Sequence, residues 1–249
     1  MYLTRIDGLK EILKGDYSFR DGKAFFFEPP KDTELQPEEK RWTRWKKSNR
    51  KFFRRRLEKE DRSKVILDVG VGGGPFEKIF EEFRNVIGLD FYPYKNAILI
   101  SDITRPLPLQ NDSCDIIFMS NVLEHVPNPR DLLLECFRVL RPRGYVIATV
   151  PFLISIHRAP YDFHRYTNFM LEKMLRDANF RDIKIEILGS PLYLYEVMQR
   201  QFFSILPKSF MASLWKGASL LLSGFFRSFF KTVPADKYYV QGYGLFARK

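Results

Sequence analysis

The chain has 249 residues, a formal net charge of +11, and is 45% apolar and 16% aromatic, with 24 Phe. That length suits one α/β domain with additions, and the apolar share is ample for a packed core. Cys114 and Cys136 stand in no C-x-x-C pair, the first ten residues carry no charged-then-apolar signal, and no uncharged apolar run reaches the roughly 18 residues that cross a membrane. A disulfide framework, a zinc site (and with it any expected metal), secretion and a membrane span are thereby argued against, and a cytoplasmic setting is expected.

Residues 1–39 are polar and carry the turn signals Glu28-Pro29-Pro30 and Gln36-Pro37, so they read as an irregular arm. Residues 38–60 read as a helix, with Trp42, Trp45, Phe52, Phe53 and Leu57 near one face and basic residues elsewhere. Between Lys40 and Lys64 stand thirteen Lys/Arg against three acids, so nearly all of the excess charge lies in this stretch. Arm and basic helix form a first unit, 1–62.

From Lys64 strands and helices alternate. Val65–Val69 reads as a buried strand, followed by a glycine-rich turn and a helix from Pro75 to about Phe83. Strands are expected at Val86–Leu89, Ala97–Ile100, Asp115–Met119, Tyr145–Val150 and Ile183–Leu188, with helices at Asp131–Leu140 and Asn168–Ala178. Repeated βα units of this kind imply an α/β fold, a doubly wound, Rossmann-like parallel sheet over 63–189. Residues 190–235 form an aromatic insertion, and 236–249 a closing strand.

The turn Gly70-Val71-Gly72-Gly73-Gly74 lets a backbone approach a ligand closely. Its spacing differs from the dinucleotide pattern, and Asp68, just upstream, would repel a pyrophosphate but suit a cationic amino group. The alternative is a tight turn with no ligand, although an acid inside a buried strand is costly without a partner. Asp90, twenty residues after Gly70, stands where an acid accepts from two ribose hydroxyls or caps a helix. Asp102 would accept from an adenine amino group, with Ile103 against the ring, or would close a turn.

Together these stretches resemble the class I S-adenosylmethionine-dependent methyltransferases, in the branch that includes the ubiquinone- and menaquinone-type small-molecule enzymes. The likeness runs through Val65–Gly74, Val86–Asp90, Ser101-Asp102-Ile103, Leu107 to Val126 and Leu132 to Gly144. It implies seven strands with the last antiparallel, and S-adenosylmethionine as cofactor. Asp68, Gly70 and Gly72 would hold the methionine part, Asp90 the ribose, Asp102 and Ile103 the adenine, and Asn121 would face the sulfonium. Gly74 and Phe91 complete the expected cofactor set.

A second region, Pro151 to Thr167, follows the fifth strand and so emerges over the ligand crevice. In it, His157 or Asp162 is a candidate base for an acceptor hydroxyl. His164 and Arg165 either touch substrate or brace the loop with Asp162 ahead of a helix capped by Thr167, and His125 either touches substrate or caps a turn. The sequence Ser120-Asn121-Val122-Leu123 is not the Asn/Asp-Pro-Pro-Tyr arrangement that grips a base amine, and neither cysteine resembles a nucleophile. Residues 191–233 hold ten aromatics, five Lys/Arg and one acid, a composition suited to an interfacial helix pair or a helical cap. The expectation is methyl transfer to an oxygen of a saccharide or lipid-linked small molecule, with an anionic membrane surface as a further partner at the inner membrane face. The alternatives are an RNA methyltransferase gripping through the 40–62 helix, and a non-catalytic S-adenosylmethionine-binding scaffold.

Overall fold

A computed structural model describes residues 2, 9–30, 43–205, 213–215, 217–219, 222 and 239–249. Strands β1 (Ser18–Arg20), β2 (Lys23–Phe25), β3 (Val65–Val69), β4 (Asn85–Asp90), β5 (Leu99–Ile100), β6 (Cys114–Ser120), β7 (Leu140–Pro151), β8 (Arg181–Leu188) and β9 (Gly242–Arg248) form one sheet in the order β1-β2-β5-β4-β3-β6-β7-β9-β8. β3 lies parallel to β4 and β6, β6 parallel to β7, and β9 runs antiparallel to both β7 and β8. The seven-stranded, Rossmann-like plan with an antiparallel last strand is therefore present. The sheet nevertheless has nine strands, because a hairpin adds two at the β5 edge.

That hairpin corrects the irregular arm. Asp21 and Gly22 have φ of 50° and 75°, the left-handed pair that a tight two-residue turn requires. β2 then pairs parallel to β5 through Ala24↔Leu99 and Phe25↔Ile100. The segment 31–42, with Trp42, lies outside the described residues.

Side chains alternate across the central strands and bury two layers. Ile66, Ile116, Phe118, Tyr145 and Ile147 face one layer, while Leu67, Val69, Ile117, Met119, Val146 and Ala148 face the other. Helices α2 (Pro129–Val139) and α3 (Asn168–Asp177) cover the second layer through Leu132, Leu133, Cys136, Leu171 and Leu175. Over the first lies α1 (Arg44–Leu57), capped where the Thr43 hydroxyl accepts from the Lys46 N–H at 3.2 Å. Trp45, Asn49, Phe52, Phe53 and Leu57 are buried, so the amphipathic reading of this helix holds for its described part.

The helix expected after the glycine turn shrinks to one 3-10 turn, Glu77–Ile79. Only ten residues separate Gly74 from Asn85, and they must run back along the whole of β3. An α-helix advances about 1.5 Å per residue against about 2.0 Å for a 3-10 turn, so the more extended form closes the crossover. Phe76, Phe80 and Phe83 remain buried and meet Phe53 and Phe118 in one aromatic cluster.

A fourth helix, α4 (Pro191–Ile205), opens the insertion, while 206–212, 216, 220–221 and 223–238 lie outside the described residues. None of the helices among the described residues is long and apolar enough to cross a membrane.

Phe53 is fully buried, with its ring 4.1 Å from Phe118 and 5.5 Å from Phe76. Phe53→Ala should cost about 3–5 kcal/mol in denaturant unfolding. A loss below about 1 kcal/mol would mean that α1 only rests on the core.

Candidate functional site

The carboxyl ends of β3, β4 and β6 open into a cavity of about 1100 Å³. All nine residues expected on the cofactor side line it: Asp68, Gly70, Gly72, Gly74, Asp90, Phe91, Asp102, Ile103 and Asn121. His125 and His157 line it too, whereas Asp162, His164 and Arg165 face a neighbouring cavity of about 580 Å³.

Gly70 has φ +74°, and a Cβ there would stand 2.7 Å from Val122 Cγ2, so conformation and space both require glycine. At Gly72 (φ +54°) the backbone N–H donates to Asp90 Oδ2 at 2.8 Å, and the Tyr92 N–H donates to Oδ1 at 3.0 Å. Asp90 is thus an acid at the end of β4 held by backbone donors, and burial pushes its carboxyl above the ordinary range. No α-helix start stands behind the turn, so the extra N–H groups of a helix end are not supplied here.

Asp68 is buried, and its carboxylate accepts from the Tyr2 hydroxyl. Burial pushes its pKa up to about 7, with the Asp90 charge adding to the rise and the Tyr2 hydrogen bond opposing it. Tyr2 was not singled out from the sequence, since nothing in a terminal tyrosine marks a contact 66 residues away. Asp102 lines the cavity but also closes its own turn, its Oδ1 accepting from the Thr104 N–H at 2.9 Å and hydroxyl at 2.7 Å. The Phe91 ring packs 4.6 Å from Phe27 of the N-terminal segment and 4.9 Å from Tyr92. Asn121, at φ +55°, keeps a buried Oδ1 with no protein hydrogen bond.

The loop from Phe152 to Thr167 divides in two. Asp162 receives both Arg165 guanidinium nitrogens, at 2.6 and 2.7 Å, and the His157 N–H at 2.9 Å. Its side chain is 2% exposed, and the Arg165 guanidinium holds the carboxyl well below the usual carboxylate range. Asp162 is therefore a brace and a poor base, which corrects its placement among the catalytic candidates. His164 Nε2 lies 3.2 Å from the Pro127 carbonyl, and Thr167 caps α3 by accepting from Met170, so this half secures the loop.

The other half meets the cavity. Glu124 is fully buried, and its Oε1 lies 3.7 Å from Nε2 of His125 and 3.7 Å from Nε2 of His157. The Glu124 carboxylate raises the pKa of His157, whereas burial lowers that of His125. Arg158, at φ +53°, brings a guanidinium nitrogen to 3.6 Å from where a Cβ on Gly72 would stand. Glu124 and Arg158 were both missed. The acid–imidazole pair Glu124-His125 was a usable signal for the first, while the reach of Arg158 depends on a loop path that no spacing reveals.

Residues 67–148 match the model of a methyltransferase domain family. A malonyl-(acyl-carrier protein) O-methyltransferase of Marinomonas sp. (strain MWYL1) is 34% identical over 98 residues, 33% of this chain and 36% of that protein. A 25S rRNA adenine-N1 methyltransferase of Saccharomyces cerevisiae is 38% identical over 73 residues, covering 28% of this chain and 22% of that protein. In fold, the chain is similar to an S-adenosylmethionine-dependent methyltransferase from Archaeoglobus fulgidus, with a TM-score of 0.51 at 19% identity over 80% of this chain and 94% of that one.

The chain carries a class I S-adenosylmethionine-dependent methyltransferase domain. The likeness to the two curated relatives spans about a third or less of their lengths, so it fixes the donor half and leaves their acceptors as properties of those proteins.

The brace gives a stability prediction. The folded-state pKa of Asp162 is depressed, so its contribution is present above the ordinary value of 3.8 and is lost as pH falls below it. Asp162→Asn should cost about 1–3 kcal/mol at pH 7. Thermal unfolding of variant and parent should converge in acid; equal stability at pH 7 would remove the brace.

Proposed function

We propose that this protein transfers the methyl group of S-adenosylmethionine to an oxygen of a small amphiphilic acceptor, of the lipid-linked saccharide kind. The observation that carries the reading is one cavity, walled on one side by the Gly70–Gly74 turn with Asp68 and Asp90 and on the other by His125 and His157. The donor residues suit the cofactor chemically: a buried acid for an ammonium group, a second acid for ribose hydroxyls, and an unpartnered Asn121 Oδ1.

S-adenosylmethionine supplies, when bound, a methyl group already activated by its sulfonium. The protein is left to place the acceptor oxygen in line and to take its proton. His157, its basicity raised by Glu124, is the residue suited to the proton, and Asp162 with Arg165 fixes the backbone that carries it. Phe152, Leu153, Ile156, Leu194, Val197 and Met198 line the neighbouring cavity, which shares Ile154, Ser155, Phe163 and Val197 with the first and suits an apolar tail. Exposed Met198, Phe202, Ile205 and Trp215 beside basic residues support a resting place on an anionic lipid surface.

An RNA acceptor is supported less. The base-gripping motif is missing, and Arg55 and Arg56 of α1 both turn inward to Glu186 of β8, while Arg44 pairs with Glu196 at 2.7 Å.

Radiolabelled methyl transferred into cell extract should collect in the lipid or saccharide fraction; incorporation confined to RNA would overturn the acceptor class. Asp90→Ala should weaken binding of S-adenosylhomocysteine about a hundredfold or more in calorimetry. Unchanged affinity would sink the donor site. Asp68 must be ionised to hold an ammonium group, so affinity should fall about tenfold per pH unit below its pKa of about 7 and stay flat above it. The Asp68→Asn variant should lose that dependence.

A further inference from the structure

Glu124 and His125 follow β6, and His157 follows β7, so two separate loops deliver them to one wall of the cavity. Their ligand atoms all lie within 4.8 Å of one another. The proton inventory at this point is unusual. His125 Nδ1 faces the Tyr161 carbonyl oxygen, which only accepts, so the ring hydrogen belongs on Nδ1. His157 Nδ1 faces the Ser155 carbonyl at 3.3 Å and Asp162 Oδ2 at 3.4 Å, again acceptors only. Each ring then presents the bare lone pair of Nε2 to Glu124 Oε1.

Three lone pairs thus converge around a fully buried carboxylate whose two oxygens have no hydrogen-bond partner. The 3.7 Å separations exceed a hydrogen bond. They lie close to the spacing of about 3.4 Å between two ligands that each stand about 2.1 Å from one tetrahedral cation. Orientation of both imidazoles by carbonyl or carboxylate acceptors on the far nitrogen is the arrangement seen around metal-ligating histidines.

We propose that Glu124, His125 and His157 bind a first-row divalent transition-metal ion. Two imidazoles and one carboxylate suit zinc, manganese or cobalt and are too poor in oxygen for magnesium or calcium. The three ligands leave positions open toward the cavity, where water or an acceptor oxygen completes the shell. The inference rests on the functional reading above for its role and changes one step of it. The cation draws charge from the acceptor oxygen, whose proton passes to solvent as its electron pair closes on the methyl carbon and the carbon–sulfur pair returns to sulfur. The expectation of no metal came from the cysteines, which are indeed elsewhere; the histidines lie 32 residues apart in sequence and give no spacing signature.

The test uses the full chain, stripped with chelator and dialysed separately against Zn2+, Mn2+ and Co2+, with metal measured by plasma mass spectrometry and Co2+ by its visible absorption. The parent protein should retain one equivalent. Glu124→Gln and His157→Gln should each weaken retention about 10–100-fold, while His164→Gln should retain the metal as the parent does. Binding of S-adenosylhomocysteine should survive in all variants, which separates loss of metal from loss of fold. Retention of a full equivalent by both Glu124→Gln and His157→Gln, or no uptake by the parent, would overturn the proposal. Methyl transfer persisting in chelator would also overturn it, leaving the functional reading with His157 as base.

Discussion

Four carboxylates sit with little or no exposure at the carboxyl edge of this sheet, and the way each is compensated organises that end of the molecule. Taking a carboxylate out of water is costly unless donors or a cation replace the solvent. Asp90 is met by two backbone N–H groups, Asp162 by a bidentate guanidinium, and Asp68 by the Tyr2 hydroxyl. Glu124 has two imidazole nitrogens at a distance and no donor. The series grades from a stabilising feature at Asp162 to a poised one at Glu124. Incompletely compensated charge is a reservoir that a cationic ligand discharges, and here it borders the cavity while the fully compensated pair faces away from it.

The aromatic richness of the chain belongs to the opposite layer. Phe52, Phe53, Phe76, Phe80, Phe83 and Phe118 are buried together between α1 and the sheet. With only a 3-10 turn after the glycine loop, the crossover supplies phenylalanines instead of a helix surface, and α1 closes over them. Arg56 lies over the Phe246 ring at 4.9 Å and pairs with Glu186, so part of the basic stretch is also packing. The helix that reads as an electrostatic attachment is thus a structural member first. Its outer cations, Lys47, Lys51 and Arg54, remain exposed.

The central strands were legible because parallel strands buried on both faces read as unbroken apolar runs, and their ends at Asp68 and Asp90 followed. The hairpin was missed although Asp21-Gly22 carries its signal, because strands of three residues leave almost no alternation to detect. The helix expected from Pro75 failed for a reason of length: the apolar spacing of Phe76, Phe80 and Phe83 is helical, but the crossover lacks the residues for it. On the cofactor side, residue types at strand ends were informative because the strands place them. On the acceptor side, Asp162 and His157 had equal claims from sequence, and only the loop's path, turning Asp162 onto Arg165 and His157 onto Glu124, separates them.

That separation also bears on the acceptor atom. The methyl donor arrives activated, so an acceptor that is already a good nucleophile asks the protein for little beyond position. A thiol with a pKa near 8.5 ionises with slight help, and a neutral amine needs none before attack. An alcohol holds its proton far more tightly, and the proton must be taken or its charge neutralised as the bond to carbon forms. The acceptor wall has invested a buried carboxylate and two oriented imidazoles in that service, at a cost in folding stability that simple placement would not demand. A site built for a sulfur or nitrogen acceptor would have no use for such a cluster, whereas an oxygen acceptor gives every member of it a task.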